Sequence, residues 1–297
     1  MKFYSPLKRH LFLTGLLGFA GLLATVFVSG PTVSADKMDP QEVVSKHLAS
    51  VGTPEALAEA KSRIVIGNVE AQFRLTATRV EVSGPAEIAS DGNKVLLAMA
   101  FTNVNNYPFE KAAFDGAKVT VGILPSGGRS KLADFLISQE LVVKQGLLGG
   151  TLSSAWPLYN LDTKTVKLSY AGTDKVNNRP AHKIKYSLRN EGNLRTTLYF
   201  DAETFQHVRS QYEYSIPASS VSDPTASAQQ RESRFKLVED FSDFQPTGKL
   251  TLPHKYHLQL LMETQNKTQT MDWDMTLAQF SFNQPIAVEE FNVGKTR

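Results

Sequence analysis

His254-Lys255-Tyr256-His257 brings two imidazoles within three residues of each other, and paired histidines are a common start for a zinc site. Pro253 and the alternation of Tyr256, Leu258 and Leu260 make this segment a strand, on which residues three apart point to opposite faces. The two rings diverge, and metal binding is not expected. Gly122 to Ser130 reads Gly-Ile-Leu-Pro-Ser-Gly-Gly-Arg-Ser, close to a phosphate-binding loop. With Gly128 as the second glycine the spacing is one residue too long; with Gly127, Gly128 stands where the lysine belongs. A loop entering a helix is the plainer reading. Asp201-Ala202-Glu203 could set two carboxylates on one strand face, but it lies between two strand segments, where an Asp bonds turn amides instead. His47, alone on a helix face, reads as a packing residue. No Gly-x-Ser-x-Gly elbow or His-Glu-x-x-His occurs, and the chain has no cysteine, so thiolate metal sites and cysteine nucleophiles are excluded. These residues imply no catalysis, no metal and no cofactor.

The elements that would position any site begin after a leader. Lys8-Arg9-His10 precede an apolar run from Leu11 to Val28, then Pro31 and the small-x-small tripeptide Val33-Ser34-Ala35. That order reads as a secretory signal peptide, residues 1–35, cleaved after Ala35. The alternative is an uncleaved inner-membrane anchor. Of 32 Lys and Arg against 29 Asp and Glu, the leader holds Lys2, Lys8 and Arg9 and no acid, so the remainder is neutral. A neutral body has no long-range attraction to nucleic acid. The exported part, residues 36–297, reads as one domain.

Asp39-Pro40 caps and opens a helix carrying Val44, Leu48 and Val51, and Thr53-Pro54 opens a second. From Arg63 the apolar period changes to two: Val69, Ala71, Phe73, Leu75 and Ala77 face one way. Val80–Val82, Val95–Phe101 and Val119–Ile123 follow, separated by Ser83-Gly84-Pro85, Asp91-Gly92 and Asp115-Gly116 as turns. A helix over Ser130–Lys144 interrupts, within a helical insertion of about 129–157. Strand segments resume at Val166–Tyr170, Ile184–Leu188, Leu194–Phe200 and His207–Tyr214, with a turn at Asn177-Asn178. Residues 215–230, rich in Ser, Ala and Pro, read as a mobile loop. Phe235–Phe241, His254–Met262 and Met271–Phe282 complete the set. Short turns require antiparallel pairing. The expected fold is mainly β (α+β): a single curved antiparallel sheet forming an unclosed barrel, with helices packed in its concave face as a lid.

Leu198-Tyr199-Phe200-Asp201-Ala202-Glu203-Thr204-Phe205 with Val208-Arg209, then Asp243 to His254 with Gly248 and with Leu252-Pro253 read as a turn into a late strand, then Phe282-Asn283-Gln284-Pro285-Ile286 with Phe291, follow one another along the chain. Together they resemble the periplasmic lipoprotein-carrier superfamily of Gram-negative bacteria, the LolA/LolB-like fold. The resemblance implies an unclosed barrel with a helical lid over an apolar cavity, and a non-enzymatic carrier of acyl chains. Its partners would be lipid or lipoprotein acyl chains, with transient membrane contact, and it would act as a periplasmic monomer. The family's contact positions match no residue here. From the strand pattern, Phe73, Leu75, Phe101, Tyr186 and Tyr256 are the candidate cavity lining. The alternative function is an envelope protein-interaction module, a stress sensor or assembly factor of the same fold.

Overall fold

The computed structural model describes residues 38–75, 78–102, 104–188, 192–217, 232–264 and 267–294, and the side chains of Leu75 and Thr78 are not among what it describes. The leader and most of the 215–230 segment lie outside those residues. Two helices open the described chain. In α1 (Pro40–Val51) Asp39 accepts the Gln41 N–H at 2.9 Å, and in α2 (Pro54–Glu59) the Thr53 hydroxyl accepts the Ala56 N–H at 3.2 Å. The chain then enters a sheet at its middle. Strands β1 (Ser62–Leu75), β2 (Thr78–Asp91), β3 (Lys94–Ala100), β4 (Phe109–Phe114) and β5 (Val119–Val121) step outward to one edge. An insert, residues 122–165, carries the chain to the opposite edge. It holds α3 (Lys131–Ser138), α4 (Leu141–Lys144) and 3-10 turns at Gly150–Leu152 and Pro157–Asn160. From there β6 (Val166–Val176), β7 (Arg179–Leu188), β8 (Arg195–Asp201), β9 (His207–Ile216), β10 (Ser233–Thr247), β11 (Leu250–Glu263) and β12 (Thr268–Phe282) step back, until β12 pairs with β1.

The result is a single 12-stranded antiparallel sheet, order β5-β4-β3-β2-β1-β12-β11-β10-β9-β8-β7-β6, whose two edges do not meet. This is the mainly β, unclosed-barrel class expected. Tight turns follow local chemistry. Asn177 and Asn178 both take positive φ (49° and 65°), as a two-residue hairpin demands, and Gly92 does so at 59° between β2 and β3.

Three boundaries differ from the sequence reading, each for a physical reason. Ser83-Gly84-Pro85 is not a turn but the middle of β2. Gly84 is extended, and a Cβ there would lie 1.8 Å from the carbonyl oxygen of Ala100, where β3 leaves the sheet. Pro85 sits where β2 has only β1 beside it, since pairing with β3 stops at Ala86, and one-sided stretches are where strand prolines are found. Leu252-Pro253 likewise continues β11, before β12 begins to pair at Lys255; the turn lies at Gly248-Lys249. The expected helix over Ser130–Lys144 is broken in two. The Ser138 hydroxyl donates back to the Phe135 carbonyl at 2.9 Å, and Gln139 leaves helical geometry. Replacing Gly84 with alanine is expected to cost about 1–3 kcal/mol by overpacking, read as a lower urea midpoint. An unchanged midpoint would mean that β3 does not exit over Gly84.

Candidate functional site

Inward positions of the strands form one apolar core with residues of the insert. Leu132, Phe135, Leu136, Val142, Val143, Leu147, Leu148, Leu152, Trp156 and Leu158 are all buried there. The insert therefore fills the concave face, held by contact with β-branched and aromatic side chains. Polar anchors fix its path. Glu239 on β10 is fully buried. Its Oε1 accepts the Gly149 N–H and the Tyr256 hydroxyl, each at 2.6 Å, and its Oε2 accepts the Tyr212 hydroxyl at 2.7 Å. Burial raises this carboxyl to about 7, against the pull of its three donors. Glu110 on β4, buried beside α3, accepts the hydroxyls of Ser130 (2.6 Å) and Tyr107 (2.5 Å), and burial raises it to about 7 as well.

His47 on α1 and Trp156 of the insert form another anchor. The Trp156 indole N–H donates to His47 Nε2 at 3.1 Å, which places the imidazole proton on Nδ1, 3.1 Å from the Phe205 carbonyl oxygen. Phe205 has φ 58°, an uncommon backbone for an aromatic residue, and its carbonyl is turned to that ring. Trp156 also stacks on His207 at 4.5 Å. Burial lowers His47 to about 4 and His207 well below its usual range, so both rings are neutral at pH 7.

Arg63, at the start of β1 and 1% exposed, completes the set. Its Nη1 donates to the carbonyls of Thr151 (2.5 Å) and Ser153 (3.4 Å) and to the Tyr159 hydroxyl (3.2 Å). Tyr159 is half-buried and belongs to two clusters. One is the main core; the other is a small satellite of Val51, Ala56, Ala60, Leu250 and Leu252 beneath α1, α2 and the β10–β11 turn. On this satellite lies a groove of about 870 Å³, lined largely by apolar atoms of Leu48, Val51, Pro54, Leu57, Tyr159 and Leu250. A second groove of about 510 Å³ shares Leu57, Ala58, Tyr159 and Asn160 with it. Lys249 and Glu59 pair at 2.6 Å between α2 and the β10–β11 turn; both are well exposed, so the pair adds little.

The residues expected to line a cavity are dispersed over the concave face. Phe73 and Phe101 sit in the core on either side of Tyr107, at 5.0 and 5.2 Å between rings, and Phe73 also meets Trp273. Tyr256 stacks on Phe241 at 5.2 Å and serves Glu239. Tyr186 is 1% exposed; its buried hydroxyl has no partner among the described residues, and it borders a pocket of about 190 Å³ with Gly146 and Pro157. Leu75 has no described side chain. His254 and His257 diverge as expected: one meets the Thr247 hydroxyl and Phe280, the other Asp274 at 2.7 Å. Among the described residues, no group of three or more His, Cys, Asp or Glu could hold a metal ion. Asp201 Oδ1 accepts the N–H groups of Glu203 and Thr204, the turn role expected of it. Sequence reasoning missed Arg63, Glu239 and Tyr159, and set His47 aside as packing.

No family model matches this chain, and no curated protein matches it. Solved structures similar to it include these three. A LolA superfamily protein from Nitrosomonas europaea is 12% identical, covering 86% of this chain and 98% of its own, with a TM-score of 0.43. A DUF1329 family protein from Desulfovibrio piger is 9% identical over 86% and 98%, with a TM-score of 0.39. A domain described as an outer membrane lipoprotein-sorting protein, from Vibrio parahaemolyticus, is 10% identical over 84% and 95%, with a TM-score of 0.38.

Proposed function

We propose that this chain is an exported, periplasmic binding or carrier protein for acyl chains, acting without catalysis or cofactor. The observation that carries this reading is the apolar groove of about 870 Å³ over the satellite cluster, a size within the usual range of about 300–1,000 Å³ for small-molecule sites. It lies between α1, the six-residue α2 and the β10–β11 turn, over the satellite cluster at the edge of the main core. Each buried CH₂ contributes roughly 0.8 kcal/mol, so a twelve-carbon chain offers on the order of 10 kcal/mol before the costs of binding. Phe73, Leu75, Phe101, Tyr186 and Tyr256 enter this reading only with the insert displaced, when the face they occupy would extend the apolar surface. Among the described residues no helix is long and apolar enough to cross a membrane.

Dodecanol titrated against the protein, followed by displacement of a lipophilic dye, is expected to saturate at one chain per molecule. Leu57, half-buried at the groove wall, is the variant to make. Leu57→Arg is expected to weaken the chain about tenfold or more, because a charge would have to be desolvated beside it. Absence of saturable binding, or equal binding by L57R, would overturn the groove as the site.

A further inference from the structure

Arg63 is a buried cation with no ion pair to any described residue. Among the described residues only one of its three nitrogens, Nη1, has acceptors. Among the described residues Nε is buried without a partner and Nη2 has no hydrogen bond. The idle pair is the side-on edge that grips planar or tetrahedral anions with two parallel bonds. This chain uses that same edge twice elsewhere. Arg179 Nε and Nη2 hold Asp201 at 2.7 and 3.1 Å, and Arg209 Nε and Nη2 hold Asp240 at 2.6 and 2.8 Å. Those two arginines are more exposed than Arg63, so the pattern is inverted: the arginine most in need of an anion has none.

Other idle polar groups surround it. The hydroxyl of Thr151, whose carbonyl Arg63 holds, is buried without a partner among the described residues. So is the hydroxyl of Ser154, whose N–H donates to Ser90, the cross-strand neighbour of Arg63. Tyr159 touches both this cluster of donors and the two grooves. Its ring centre is 5.3 Å from the guanidinium carbon, and it lines both the 870 and the 510 Å³ grooves, the second together with Ser154.

We propose that Arg63 is the anion-binding head of the groove, so that the site takes a single-chain anionic amphiphile, carboxylate or phosphate, rather than a neutral chain. The alkyl chain lies along Leu48, Leu57 and Leu250. The head passes Tyr159, takes the Nε–Nη2 edge side-on and accepts from the hydroxyls of Thr151 and Ser154. This rests on the acyl-chain reading above and names the class of ligand within it.

The test compares dodecanoate, dodecyl phosphate, dodecanol, acetate and inorganic phosphate by calorimetry on the same protein. Both long-chain anions are expected to bind about tenfold or more tighter than dodecanol, and the chainless anions at least about a hundredfold weaker than the long-chain ones. Arg63→Met is expected to bring dodecanoate and dodecanol to within about twofold of each other. Should R63M fail to fold, the Arg63 Nε–H resonance of the parent protein gives the answer. It is expected to move with dodecyl phosphate and to stay with dodecanol. Equal binding of dodecanol and dodecanoate overturns the anionic head while leaving the groove intact. Inorganic phosphate binding as tightly as dodecyl phosphate overturns the amphiphile in favour of a free-anion site. Binding of no long-chain compound overturns the acyl-chain reading itself and this one with it.

Discussion

Replacing Trp156 with alanine is expected to lower stability by about 3–5 kcal/mol, as large aromatic truncations in packed cores do. Three losses coincide at this side chain. It is 1% exposed in the main core, so truncation leaves a cavity beneath the insert. Its stacking on His207 at 4.5 Å is lost. The Nε2 atom of His47, in a fully buried ring, loses its donor, and an unsatisfied buried acceptor costs about 1–3 kcal/mol by itself. Trp156→Phe separates the contributions: it keeps an aromatic face against His207 and drops the N–H, so about 1–2 kcal/mol is expected there. Urea unfolding followed by circular dichroism reads both. Limited proteolysis is expected to find new cuts within residues 122–165 in the alanine variant, because Trp156 joins that insert to α1. A W156A midpoint close to the parent's would mean that the insert is held by α3 and its other anchors, Glu110, Glu239 and Arg63, and the His47 anchor would lose its meaning.

Period, caps and turns made much of the sheet legible from residues alone. The alternation through Val69, Ala71 and Phe73 gives β1, Asp39 and Thr53 cap the helices, and Asn177-Asn178 closes a hairpin with both residues at positive φ. The misread strand boundaries share one cause. Gly84, Pro85 and Pro253 are turn formers by type, yet each sits where one neighbouring strand has ended, and that depends on the lengths of other strands. The site was less legible for a different reason. Phe73, Phe101, Tyr186 and Tyr256 do point inward, but whether an inward aromatic lines a space or fills it is decided by the path of residues 122–165. The groove joins α1 and α2 to the β10–β11 turn, about two hundred positions along the chain, and no local pattern links them. A signal for the buried charges was present. Arg63 shares the inward register of Val65, and Glu239 stands between Leu237 and Phe241, also inward. A charge on the apolar face of a half-buried strand has to find a partner or serve a ligand.

Glu239 gives the clearest electrostatic prediction, because its neighbours let the sign be read without ambiguity. The carboxyl has an ordinary value near 4.5, and burial raises it to about 7 in the folded protein. Between those values the unfolded chain has lost this proton and the folded chain still holds it. Rising pH therefore favours unfolding across that window, by about 3 kcal/mol in total, and the effect is complete once pH passes the folded value. The parent protein alone does not expose this slope. Glu110, also raised to about 7, adds to it. His47, lowered to about 4 by burial, and His207, held well below its usual range by burial, oppose it, since their unfolded rings bind a proton below about 6.5 that the folded rings refuse. Glu239→Gln isolates the one group. The amide oxygen can keep the Gly149 N–H and the Tyr256 hydroxyl. The amide N–H₂ can donate to Tyr212, whose own hydroxyl turns to the Leu147 carbonyl 3.1 Å away. The stability of E239Q relative to the parent is thus expected to improve by about 3 kcal/mol between pH 4.5 and pH 8. A difference that stays flat over that range would mean that Glu239 is ionised throughout. Its three donors would then outweigh burial, and the insert would be anchored at Gly149 by a charge rather than by a neutral acid.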